Sequence, residues 1–187
     1  MILFAMEPVK KKRIVTKIGH VFCVEIDKQY KCYFQYICND MSQLNSSVIR
    51  VFKKRYPMDY IPVIDDIVKD EVSFYAHTIL RSGIADGAWY KVDKSIDLGL
   101  DGLETVYFAS TLNEKHIWHG RRLEIVEVDP LENWWIWKIS CDSVNIGVLP
   151  IEYTHTTYPG AVFQYPSIIN RIKDDKIHYD GLDFYNR

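Results

Sequence analysis

A chain of 187 residues, 48% hydrophobic and 26% charged, is long enough to bury a sizeable core and has the make-up of an ordinary globular domain. Its net charge of −2, from 23 basic and 25 acidic residues, argues against nucleic acid as a partner, because nucleic-acid binders carry clustered positive charge. No apolar run approaches the roughly 18 residues that a membrane span needs, and the opening MILFAMEP is too short and too soon acidic for a secretory signal. The expectation is a cytoplasmic protein with no membrane partner. Cys23, Cys32, Cys38 and Cys141 form no C-x-x-C pair and read as reduced, buried thiols. No cofactor is expected.

Residues 1–16 show no period beyond Arg13-Ile14-Val15, and Lys10 to Arg13 reads as a solvated basic run. From Lys17 to Tyr56 the chain alternates as strands do. Phe22, Val24 and Ile26 point one way, and Val21, Cys23 and Glu25 the other. Asp27-Lys28-Gln29 is a hairpin turn. Next, Tyr30, Cys32, Phe34, Tyr36 and Cys38 share a face opposite Lys31, Tyr33, Gln35 and Ile37. Ser47 to Tyr56 reads as a third strand, with helix as the rival reading for Val48 to Arg55. Asp65 to Asp70 suits one helical turn. VSFYAHTIL, from Val72 to Leu80, is a strong strand candidate, and Ala88 to Val92 a weaker one.

The Gly/Asp/Leu stretch 95–105 is the best internal boundary, separating 1–94 from 106–187 within a single β-rich domain 1–187. Beyond it, Val106 to Ser110, Arg122 to Val128, Trp134 to Ile139 and Asn145 to Leu149 are strand candidates. Tyr165 to Ile172 reads as a helix, with Pro166 near its start and Ile168, Ile169 and Ile172 in one stripe. The fold class is therefore mainly β (α+β): a strongly bent antiparallel sheet or small barrel with one or two short helices.

Four constellations invite a chemical reading. His116 and His119, three apart, suit a metal if they share a helical face, with His155 as a third ligand. The stretch reads as a polar loop, so hydrogen-bonded histidines are favoured over a metal-assisted hydrolase. His77 sits within a strand and lacks any marked nucleophile nearby in sequence, so a core histidine is favoured over a general base. Asp97, Asp101 and Glu104 read as a solvated loop. Finally, Trp134-Trp135-Ile136-Trp137 places large apolar groups on both faces of a strand, as burial on two sides or a face held for a partner requires. If the chain has a protein-binding surface, the candidates are Tyr33, Gln35, Trp89, Tyr90, Trp118, Trp135 and Trp137. No catalytic residue is singled out.

The stretch Gly19-His20-Val21-Phe22-Cys23-Val24-Glu25-Ile26, followed by Tyr30 and Tyr33-Phe34, resembles the opening hairpin of a bacterial family of toxin-immunity proteins, immunity protein family 26. His20 stands where that pattern usually has Asp, and the resemblance covers the first half of the chain. It implies a small, mostly β cytoplasmic protein that binds and neutralises a cognate toxin, with no catalytic residues to transfer. A small-ligand-binding β barrel is the remaining alternative, and it requires an enclosed apolar pocket.

Overall fold

The computed structural model describes residues 14–153, 157–174, 178–179 and 182–183; His155 and the Lys10 to Arg13 run lie outside them. In chain order the first strands are β1 (His20–Ile26), β2 (Tyr30–Asp40), β3 (Ser46–Phe52), β4 (Tyr56–Pro57), β5 (Val72–Thr78) and β6 (Tyr90–Lys94). Then come β7 (Tyr107–Thr111), β8 (Glu114–His119), β9 (Arg122–Glu127), β10 (Trp134–Lys138), β11 (Val144–Gly147), β12 (Thr157–Pro159) and β13 (Val162–Phe163). Short pieces β14 (His178–Tyr179) and β15 (Leu182–Asp183) pair with each other. Among the described residues, three α-helices punctuate the order: α1 (Ile64–Ile67), α2 (Leu80–Ala85) and α3 (Tyr165–Asp174).

The main sheet runs β13-β5-β3-β2-β1-β6, with β4 added to β2. The alternation read from sequence sets the β1–β2 register, with Phe22 opposite Phe34 and Val24 opposite Cys32. Asp27 and Lys28 both take left-handed backbone angles, and the Gln29 amide donates to the Ile26 carbonyl at 2.8 Å to close the turn. Gly19 is required by space as well as by its φ of +91°: a Cβ there would lie 2.4 Å from the Ser95 carbonyl oxygen.

Both faces of this sheet are buried along its central strands, while β6 at the edge is exposed. On one, Phe22, Val24, Phe34, Ile49, Val51 and Phe74 pack under Leu80 of α2, Trp89, and Ile168 and Ile172 of α3. Phe34 stacks on Phe22 and meets Trp89 edge-on, each at 5.1 Å between ring centroids. Full burial of each such ring contributes about 1.5–3 kcal/mol. The other face is covered in two parts. Ile67 and Val68 close over Val21, Cys23, Tyr33 and Phe52, while Val106, Phe108 and Trp137 cover Ile37 and Val48.

That second cover belongs to a smaller sheet ordered β11-β10-β7-β12. One stretch of chain joins the two sheets: β12 pairs in parallel with β7, and β13 pairs in parallel with β5. Gly160 between them lies against the Trp137 ring, which a Cβ would overlap at 2.0 Å, and its amide donates to Ala109 at 2.7 Å.

Several expectations change. The sheets are open, so no barrel forms, and the parallel β12 and β13 pairings make them mixed and not purely antiparallel. The strand expected up to Leu80 stops at Thr78, because Leu80–Ala85 turns into a helix that covers the sheet. Tyr56 belongs to a separate short strand on β2 and not to β3. Cys23 and Cys32 are buried thiols as expected, whereas Cys141 is exposed.

The segment read as a boundary is strapped onto the main sheet. Gln35 Nε2 donates to the Asp97 carbonyl at 2.9 Å and Arg50 Nη2 donates to the same oxygen at 3.0 Å. Arg50 Nε in turn donates to Gln35 Oε1 at 2.8 Å. Two polar side chains in a buried sheet thereby satisfy each other and the incoming backbone, as burial requires. Gly99, with φ of +58°, lets that backbone pass the guanidinium, since a Cβ would fall 1.6 Å from Arg50 Nη1.

A second buried polar pair lies where the two sheets meet. His77 Nε2–H donates to Asp40 Oδ2 at 3.0 Å, and both side chains are shielded from solvent. Asp40 Oδ1 also accepts from the Ser42 hydroxyl at 2.8 Å, the Ser42 amide at 3.1 Å and the Ser140 amide at 3.3 Å. Burial pushes the His77 pKa down, and the bond to Asp40 offsets this only in part. Burial alone would raise the Asp40 pKa, but the donors from His77 and Ser42 outweigh it and hold the carboxyl below its ordinary value. The pair is therefore carboxylate and neutral imidazole at neutral pH. His20 is depressed as well, by burial first and then by Lys91, Lys94 and Lys17; its Nδ1 accepts the Lys17 amide at 3.1 Å.

Both histidines sit below their ordinary value of 6.5, so under mild acid the unfolded chain takes up protons that the native chain refuses. Stability is expected to fall as pH drops from about 7 to about 5, by at most about 1.4 kcal/mol per pH unit for each histidine. The Asp40 contribution is lost only further down, below about pH 4. Urea midpoints across this range check the slope, and His77→Gln is expected to make it shallower.

Candidate functional site

Between β7 and β10 the chain leaves the smaller sheet and forms a separate two-stranded hairpin, β8 and β9, that joins neither larger sheet. Its pairing runs from Glu114 opposite Glu127 at the root to His119 opposite Arg122 at the tip. Gly120-Arg121 makes the two-residue turn, with Gly120 at φ of +67°. The strand period of two assigns the faces. One face carries Glu114, His116 and Trp118 from β8 with Leu123, Ile125 and Glu127 from β9. On it Trp118 is 66% exposed, Ile125 57% and Leu123 38%. The opposite face carries Lys115, Ile117, His119, Arg122, Glu124 and Val126.

A lone hairpin is marginal in water, so its root must be held. Asn133, buried at the start of β10, does this from below. Its amide nitrogen donates to the Leu112 carbonyl at 2.9 Å and to the Glu114 carbonyl at 3.4 Å, and its amide oxygen accepts from Asn145 Nδ2 at 2.8 Å. Thr111 donates from its hydroxyl to the Pro130 and Asn133 carbonyls, and the Val128 amide donates to Asn113 at 2.9 Å. Asp129 caps the following short helical turn through the Leu131 amide at 2.8 Å. A cavity of about 290 Å³ opens at this root, lined by Leu112, Glu114, Lys115, His116, Asn133 and Trp135.

Of the residues proposed for an interface, Trp118 lies fully on this surface and Trp135 borders the cavity at its root. Tyr90 is half-exposed on the far edge of the main sheet, its hydroxyl donating to Glu25 at 3.0 Å. The other four are buried. Tyr33 packs edge-on against Tyr56 under α1, and Gln35 is consumed by the Arg50 and Asp97 network. Trp89 fills the core beneath α2 and donates its indole N–H to Leu80 at 3.0 Å, and Trp137 lies over Phe108. Tyr33 and Gln35 are buried because the sheet is covered on the side where they were expected to face out, Trp89 because it fills the core on the other side, and Trp137 because it belongs to the cover itself.

The histidine pair also separates. His116 and His119 lie on a strand, not on a helix or a polar loop, and a spacing of three puts them on opposite faces. Each is matched to its own carboxylate: His116 Nε2 lies 3.0 Å from Glu114 Oε1, and His119 Nε2 lies 2.8 Å from Glu124 Oε2. Among the described residues no group of His, Cys, Asp and Glu is placed to hold a metal ion. The Asp40–His77 pair has the make-up of a catalytic dyad, but both side chains are sealed from solvent, so no substrate reaches them.

The residues that sequence reading missed are Leu123, Ile125 and Asn133. The stretch Arg122 to Val128 alternates as a strand does, and Gly120-Arg121 as a two-residue turn is the signal that aligns Leu123 and Ile125 with Trp118. In comparisons with family models, curated proteins and solved structures, nothing matches this chain.

Replacing Asn133 by Ala leaves the Leu112 carbonyl and the Asn145 amide without their partner. We expect a loss of about 1–3 kcal/mol in unfolding free energy. We also expect amide exchange to speed up selectively in β8 and β9 while the main sheet keeps its protection. Hydrogen exchange resolved by residue measures both effects.

Proposed function

We propose that the protein works by binding another protein through the Trp118–Leu123–Ile125 face of the β8–β9 hairpin, as a cytoplasmic immunity protein that neutralises a bacterial toxin. The observation that carries the reading is this row of large apolar side chains exposed on an element that belongs to neither sheet. Single exposed apolar residues are ordinary, but an aligned tryptophan, leucine and isoleucine on one face of a projecting hairpin form a patch. Tryptophan in particular is a common anchor of protein interfaces. The cavity beside Trp135 extends the patch at the hairpin root. The immunity class rests on the resemblance carried by Gly19 to Phe34, and the hairpin face supplies a surface suited to it.

Co-expression with the toxin-like products of neighbouring genes tests the proposal. We expect protection by the wild-type chain and its loss in Trp118→Ala and Ile125→Ala, with affinity in calorimetry reduced about thirtyfold or more for Trp118→Ala. Their circular dichroism and thermal midpoints are expected to stay near wild type, because these side chains are already exposed. If both variants bind and protect as the wild type does, the hairpin is not the binding surface.

A further inference from the structure

On the reading that this hairpin face is the binding surface, we infer that its partner offers an apolar pocket for Trp118 and, beside it, a lysine or arginine seated between Glu114 and Glu127. The two glutamates are direct cross-strand partners at the hairpin root and point to the same face as Trp118. Like charges placed directly opposite each other on a sheet destabilise it. The chain does little to relieve this. Glu114 shares a hydrogen bond with His116 at 3.0 Å, and among the described residues Glu127 has no ion-pair partner.

By strand register Lys115 and Arg122 belong to the opposite phase of the hairpin, while Glu114 and Glu127 share the phase of Trp118. Lys115 reaches the root cavity that Glu114 also lines, but it forms no ion pair with either glutamate among the described residues. A partner cation there relieves the repulsion and gains two charge-assisted hydrogen bonds. The strand rise of roughly 3.3 Å per residue puts the two features about 13 Å apart, Trp118 near the tip and the glutamates at the root. A partner must therefore present its cation about that far from its apolar pocket. The acidic root also favours encounter with such a surface over its like-charged competitors.

The test titrates the isotope-labelled full chain with three synthetic strand-forming peptides that alternate leucine with lysine, with serine or with glutamate, at low and at high salt. We expect the leucine–lysine peptide to shift the amides of β8 and β9, to bind about tenfold more tightly than the leucine–glutamate peptide, and to lose that margin at high salt. The double variant Glu114→Gln/Glu127→Gln is expected to remove the preference. The control Asp101→Asn/Glu104→Gln, with the same change in net charge in the linker, is expected to keep it. Equal binding of all three peptides at β8 and β9, abolished by Trp118→Ala, overturns the charge inference and leaves the hairpin as the binding surface. A lysine preference that survives the glutamate double variant also overturns the inference. If no peptide shifts the hairpin amides, both the inference and the surface fall together.

Discussion

The central strands of the main sheet, β1, β2, β3 and β5, are buried on both faces, and most other features answer to that constraint. These strands carry apolar residues in both phases of the pleat, so each face must be covered by something else in a chain of 187 residues. One side takes α2, Trp89 and α3. The other takes α1 at one end and the smaller sheet at the other. The smaller sheet is thus first a lid over Ile37 and Val48, built around Phe108 and Trp137. The hairpin that we propose as the working surface grows out of that lid, so its placement follows from the need to bury the second face.

Two-sided burial also dictates where polar groups are tolerated. Gln35 and Arg50 are adjacent on neighbouring strands, and their hydrogen bonds run to each other and to the backbone at Asp97. Burial pulls the Arg50 pKa below its ordinary value, and the Asp97 carboxylate, 3.8 Å away, offsets this in part. Asp40 serves a similar purpose at the sheet junction, where a single carboxylate holds β5 through His77 and the turn after β10 through Ser140. The neutral state of His77 is part of the same logic. Its Nδ1 is buried, the ring lies 4.2 Å from the Phe108 ring between centroids, and a proton on Nδ1 would have no acceptor among the described residues.

These facts explain what could be read from sequence. Period-two alternation marked β1, β2, β3 and β9, with helix as the rival for β3, while β5 and β10 stood out by their aromatic and β-branched content; matching two apolar faces limited which residues of β1 and β2 could pair without fixing the register. Alternation cannot tell which face is covered when both are. Tyr33 and Gln35 fell on the more polar-looking side and were expected to face outward, because nothing local to β2 announces α1 or the smaller sheet. Trp137 and Trp135 posed the same ambiguity, and the structure divides them, burying the first and leaving the second beside a cavity. The helix at Leu80–Ala85 has no side-chain cap and contains Gly83, so its local signals are those of a loop. Gly83 is there because the Trp89 indole packs on it, with an added Cβ 2.2 Å from the ring. The parallel pairings of β12 and β13 join residues far apart in sequence, and no local pattern encodes them.

The division between stable core and projecting hairpin has a physical rationale. A surface that must expose Trp118, Leu123 and Ile125 gives up the burial energy those side chains would supply inside a sheet, about 1.5–3 kcal/mol for each aliphatic one. Carried by a strand of the main sheet, such exposure would weaken the element on which every other contact depends. Carried by a hairpin tied down at its root through Asn133, Thr111 and Val128, the deficit stays local. The cross-strand pairing of Glu114 with Glu127 is confined in the same way, to the root of the hairpin, where the cation of the proposed partner would relieve it. Substitutions on the proposed binding face of β8 and β9 are therefore expected to pass little strain to the sheet beneath, because among the described residues the hairpin is tied down at its root by Asn133 and Val128.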